Sequence, residues 1–154
     1  MAIEDDIAFY ERVPTLGLLG RQALRILAIG TESRYVHSGE ALFNAGEDAD
    51  SAYVVQEGTF SLSSPASEDG EGVTVGVGTL LGELALLTET RRPVTATALE
   101  PSTVLCIPRS VFLKMLEGFP DAARRLRDNW AARTERTTGE IYKVRGILDA
   151  YDQK

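Results

Sequence analysis

The chain has 154 residues, 44% of them hydrophobic and 25% charged, with a formal net charge of −7. That length and balance predict a single globular domain, residues 1–154, with room for a sizeable core. The acidic charge argues against general nucleic-acid binding, the lone Cys106 excludes an internal disulfide, and the lone His37 supplies too few ligands for a β-barrel metal centre and sits in a polar strand-and-turn segment with no nucleophile-elbow motif nearby for a Ser-His-Asp triad.

No catalytic residue and no metal site is therefore expected, and the chain reads as a non-enzyme. No run approaches 18 apolar residues, and the acidic start Met1–Asp6 lacks the basic and apolar segments of a signal peptide. Both observations predict a cytoplasmic protein without a membrane partner. Cys106, flanked by Val104, Leu105 and Ile107, reads as a buried structural thiol.

Residues 5–30 read as helices. Ile7, Phe9, Tyr10 and Val13 precede Pro14, which breaks the first; Leu24 and Leu27 share a face of the next, and Gly30 stops it. From Thr31 the period changes. Short strands are expected at 34–37, 41–43, 52–57, 59–63 and 72–77, separated by Gly- and Asx-rich turns, with a polar loop over 64–71. Glycine-punctuated strands at this density predict a mainly β architecture, a barrel or jelly roll, over 31–108.

The stretch 82–98 carries the chemistry. Gly82 opens a tight turn, and Glu83, Leu84, Ala85 and Leu86 begin an apolar run long enough for about two helical turns. Arg91, Arg92 and Pro93 follow, then the alternating strand Val94-Thr95-Ala96-Thr97-Ala98. A helix start leaves backbone N–H groups for an anion. An arginine from the next strand could close that site with its planar fork, while the Glu83 carboxylate suits a hydroxyl donor. Phosphate and sugar hydroxyl side by side suggest a nucleotide.

This stretch resembles the phosphate-binding cassette of cyclic nucleotide-binding domains: Gly82, Glu83, Leu84, Ala85 and Leu86, then Arg92 at the family's spacing. Gly39-Glu40, Leu42-Phe43, Gly46-Glu47 and Tyr53–Gly58 are similar to that family's first hairpin and third strand. The resemblance implies an eight-stranded β-roll with N-terminal helices and a long C-terminal helix. It implies that Arg92 pairs with the cyclic phosphate and that Glu83 accepts the ribose 2′-hydroxyl. Gly82, Leu84, Ala85, Pro93, Val94 and Thr95 complete the implied ligand-binding set. The resemblance also implies cAMP ahead of cGMP as the expected ligand, because position 93 lacks the hydroxyl associated with cGMP preference.

Residues 109–152 read as closing helices. Pro120 and Asp121 suit a helix start. Leu126, Trp130, Thr134, Thr137, Ile141, Val144, Leu148 and Tyr151 then form a nearly heptad seam that packs on the barrel or pairs with a second chain, and the helix's length favours the second, a parallel homodimer. The surrounding charges, Arg124, Arg125 and Arg127 among them, read as a solvated face or a docking surface for an acidic partner. The layout resembles bacterial catabolite activator proteins. By that likeness Thr137 and Thr138 stand where a hydroxyl pair touches the base.

Two departures matter. The chain stops at Lys154, where those activators continue into a winged helix. The expectation is a free-standing receptor that signals to an unidentified effector protein as its C-terminal helices shift. The alternatives are a ligand-independent interaction module with a degenerate pocket, and a fragment of a transcription regulator. The second departure is Pro93, which has no N–H where the family supplies a phosphate donor. Arg91 or Thr95 is the expected substitute.

Overall fold

Proline and glycine divide the N-terminal segment as expected. Helix α1 spans Ile3–Glu11, a 3-10 turn spans Leu16–Leu18, and α2 spans Arg21–Gly30. These elements come from a computed structural model, which describes residues 3–64 and 72–133. Helix α3 spans Arg109–Gly118, and α4 spans Pro120–Arg133. Between α2 and α3 the described residues form ten strands: β1 Glu32–Val36, β2 Ala41–Phe43, β3 Asp48–Ala49, β4 Ser51–Glu57, β5 Phe60–Ser63, β6 Val73–Val75, β7 Leu80–Leu81, β8 Thr90–Arg91, β9 Thr95–Ala98 and β10 Ser102–Pro108. The chain is mainly β with flanking helices. Ten paired segments appear among the described residues where eight strands were expected; three of the ten are only two residues long.

The described residues fall into two compact units, one from those up to Gly30 together with 109–133, the other from those between Thr31 and Pro108. In the helical unit the buried side chains follow i, i+3, i+4 spacing: Ile7 and Tyr10 on α1, Ala23, Leu24, Leu27 and Ala28 on α2, and Phe112, Met115 and Leu116 on α3. Gly30 is the last residue of α2 and lies so close to α3 that a Cβ there would meet Val111 Cγ1 at 2.6 Å. Close approach, as well as helix termination, explains that glycine. The expected solvated basic face is partly engaged. Arg125 donates to the carbonyls of Leu18 and Leu19, which the end of the 3-10 turn leaves without helical partners, while Arg124 pairs with Asp121 and Arg127 with Asp128. Glu4 pairs with Arg25 and Arg21; the hydrogen bond and charge of Arg25 lower its pKa, but the group is exposed and the bridge contributes little.

The second unit is built from two four-stranded antiparallel sheets, ordered β1-β10-β4-β7 and β2-β9-β5-β6, with the pair β3-β8 as a third ladder. The core lies between the two larger sheets. One contributes Val36, Tyr53, Val55, Leu81 and Val104; the other contributes Leu42, Phe43, Phe60, Ala96 and Ala98. Strand alternation explains the choice, since Tyr53 and Val55, Ala96 and Ala98 are two apart and share a face. Cys106, two residues after Val104, points to the same interior but is half-buried rather than fully buried.

Among the described residues no helix is long and apolar enough to cross a membrane, and no group of three His, Cys, Asp or Glu side chains could hold a metal ion. Thr137, Thr138 and the seam beyond Arg133 lie outside the described residues, as does most of the 64–71 loop.

Candidate functional site: a buried arginine beside a left-handed glycine

Gly82 sits at φ +77°, the left-handed region that a side chain occupies only at a cost. It turns the chain out of β7 into a single 3-10 turn, Glu83–Leu86. The expected two helical turns are not made: the amide of Ala85 closes on Gly82 O at 3.0 Å, and those of Leu87 and Thr88 return to Leu84 O. Ala85, Leu86 and Leu87 bury their side chains early, and that anchoring ends the helix after one turn. Glu83 and Leu84 remain half-buried at its start. The Leu84 amide has no acceptor inside the turn, since a 3-10 ladder reaches only from i+3 back to i.

Strand β8 then brings the chain back to the turn at 44–47. Arg92 N donates to Glu47 O at 2.8 Å, and Gly46 N donates to Arg92 O at 2.8 Å. The turn itself is closed by Asn44 N donating to Glu47 Oε1 at 2.6 Å. Beside it, β3 pairs with β8, Asp48 opposite Arg91 and Ala49 opposite Thr90. Both the N–H and the C=O of Arg92 are thus tied to residues 46–47 of that turn, and its side chain is buried in the roll.

There Arg92 is only 5% exposed. Its guanidinium carbon lies 4.4 Å from the ring centre of Phe43 and 5.5 Å from that of Tyr53. Nε and Nη1 are buried and have no hydrogen-bond partner. Burial lowers the pKa of the group, while Tyr53, Asp50, Cys106 and Glu47 act in the opposite direction. A Cβ at Gly82 would collide with Nη1 of Arg92 and stand 3.4 Å from Ser51 O. The glycine therefore supplies both the left-handed turn and the room for the arginine. Gly82→Ala is expected to cost about 1–2 kcal/mol from backbone conformation alone, with a further loss from the displaced guanidinium. Thermal melts check the first part and ligand titration the second.

The substitutes expected for the missing Pro93 donor are committed elsewhere. Pro93 is exposed. Arg91 is 77% exposed and turns toward Asp48, 3.7 Å away. The Thr95 hydroxyl accepts from Ala45 N at 2.9 Å and secures the 44–47 turn. Val94 packs against the roll core. The structure thus gathers Gly82, Arg92 and the 83–86 turn at one end of the roll, and gives Thr95 a supporting role. Phe43 and Tyr53 were read only as strand residues. Their matching interior parity on β2 and β4 is the one signal that could have marked them, and parity does not reveal what a ring faces.

The profile of the cyclic nucleotide-binding domain matches residues 33–119, more than half of the chain. The chain belongs to the cyclic nucleotide-binding domain family. The domain is similar to an NTE family protein of Mycobacterium tuberculosis, 33% identical over 132 residues, which are 80% of this chain and 22% of that protein. It thus spans about a fifth of that relative's length. Among solved structures it resembles a cyclic nucleotide-binding-like protein from Brucella abortus, with 36% identity and a TM-score of 0.65 over 73% of this chain and 98% of that one. It also resembles the N-terminal domain of a transcriptional regulator from Streptomyces coelicolor, with 29% identity and a TM-score of 0.72 over 81% and 89%. The matched family is one of ligand-binding domains, and the β-roll is its fold.

Proposed function

We propose that this cyclic nucleotide-binding domain is a non-enzymatic receptor that takes cAMP ahead of cGMP, with Arg92 on the phosphate and Glu83 on the ribose 2′-hydroxyl. The observation that supports this most is the Arg92 guanidinium, buried beside Gly82 with Nε and Nη1 unpartnered. A buried cation with donors to spare calls for an anion. Gly82, Leu84, Ala85, Pro93, Val94 and Thr95 shape the rest of the cradle, and Thr137 and Thr138 cap the base. The two compact units belong to one domain in this reading, since the profile match crosses from Pro108 into α3. The signal leaves through the C-terminal helices to a protein partner, with a homodimer formed along the same helix in the cytoplasm. That is a population shift between two arrangements.

Titration calorimetry with cAMP and with cGMP tests the reading directly. Heat with cAMP at micromolar to millimolar ligand, weaker heat with cGMP and a rise in melting temperature are expected. Absence of both heat and thermal gain at millimolar ligand would sink it.

One observation favours a second reading, an interaction module that binds no nucleotide. Pro93 removes a donor, and neither Arg91 nor Thr95 turns toward the cradle to replace it. That reading predicts unchanged partner binding in Arg92→Ala.

A further inference from the structure

Arg92 must stay charged and hold one orientation while having no hydrogen-bond partner on Nε or Nη1. A carboxylate could do this, but it would occupy the N–H groups that a phosphate needs. Aromatic faces attract a guanidinium through their quadrupole and accept no strong hydrogen bond, so they leave those donors available. Phe43 and Tyr53 offer such faces. Their rings are stacked, with centroids 5.9 Å apart and planes inclined by 24°, and both lie within 6 Å of the Arg92 guanidinium carbon. They come from opposite sheets, Phe43 from β2 and Tyr53 from β4, so the shelf bridges the two layers of the roll. Tyr53 is itself held from β1: its hydroxyl accepts from Arg34 Nη1 at 3.3 Å, and the Arg34 guanidinium lies 5.7 Å from its ring. On the opposite side Gly82 leaves Nη1 the space that a Cβ would fill.

We propose that Phe43 and Tyr53 are positioning residues for ligand binding, a stacked aromatic shelf that holds the Arg92 fork beside Gly82 with its N–H groups reserved for an anionic phosphoryl group. The proposal rests on the reading of Arg92 as the phosphate partner. It gives the shelf a role distinct from packing: the rings set the direction and availability of the charge.

Two readouts on the full 15N-labelled chain test it, the cAMP dissociation constant by calorimetry and the Arg92 Nε–H signal by NMR, assigned by its loss in Arg92→Met. In the parent chain, measured without nucleotide, ring currents shift that signal upfield. Phe43→Met, which keeps bulk without a π face, moves it toward the free-arginine position and weakens cAMP on the order of tenfold. Tyr53→Leu has the same two effects and serves if Phe43→Met does not fold. Tyr53→Phe keeps the ring and leaves both readouts in place. Unchanged signal and affinity in Phe43→Met and Tyr53→Leu would overturn the proposal, as would weaker binding with the signal unmoved. If the parent chain binds no cAMP yet Phe43→Met still erases the upfield shift, the nucleotide reading falls and the shelf stands.

Discussion

Arg92→Met should abolish measurable nucleotide binding and leave the protein as stable as before, or more so, in the absence of ligand. The two effects have the same physical origin. Hydrogen bonds to a charged group are worth about 1.5–3 kcal/mol each, so a guanidinium that donates two to a phosphate supplies roughly 3–6 kcal/mol. Losing it weakens cAMP by a factor on the order of 10² to 10⁴. Without ligand, Nε and Nη1 are buried and unpaired. Each such group carries a desolvation cost of about 1–3 kcal/mol, offset in part by the two rings at about 0.5–2 kcal/mol. Burial also lowers the pKa of the group, which shows the same penalty on the charged form. At neutral pH arginine remains protonated, so the penalty is present under ordinary conditions. Methionine fills much of the volume with no charge to desolvate. Melting curves with and without millimolar cAMP separate the outcomes. A parent chain gains melting temperature with ligand and the variant does not. A variant that melts well below the parent without ligand would show that Arg92 is structural cement instead.

Pro93→Ala should tighten cAMP binding by about tenfold while slightly lowering stability in the absence of nucleotide. Position 93 follows Arg92 directly and is exposed, so an alanine there meets no packing obstacle. Its N–H replaces the phosphate donor that proline lacks, worth about 1–3 kcal/mol to a charged acceptor. Removing proline also frees the unfolded chain, at a cost of about 0.4–1 kcal/mol. The two signs oppose, which makes the result hard to mimic by general stabilisation. Calorimetry reads the first and a thermal melt without ligand reads the second. Equal affinity in the two chains would mean that the residue 93 amide does not face the phosphate.

Together these substitutions divide the cradle into its charge and its amides. A domain that keeps the arginine and loses one amide depends more heavily on Arg92, and therefore on whatever orients it. That dependence is why the Phe43–Tyr53 shelf matters to ligand affinity.

Local pattern already carried much of this in the amino-acid sequence. Gly82 was readable as a tight turn because the residues after it change period. Val94 to Ala98 was readable as a strand because its residues alternate, while the choice of Arg92 from the Arg91-Arg92 pair came from the resemblance to the family's cassette spacing. These are short-range features, governed by backbone sterics and periodicity, and they survive without knowledge of the fold.

The tertiary structure decided what those residues face. Strands β3 and β8 are two residues each, too short to announce themselves, and form only because 40 residues of intervening chain bring Asp48 opposite Arg91. That ladder and the Gly46–Arg92–Glu47 exchange send Arg92 inward and Arg91 out to solvent, although the two are neighbours in the chain. The single 3-10 turn, in place of two helical turns, follows from the burial of Ala85 to Leu87. The commitment of Thr95 to Ala45 likewise depends on a residue 50 positions away. Alternation and turn chemistry act over a few bonds, so the sequence alone could place a cradle at 82–98. Burial, donor availability and cation–π geometry depend on chain segments that meet only on folding, so only the fold could show Arg92 desolvated, set against two rings and left with two buried N–H donors without partners.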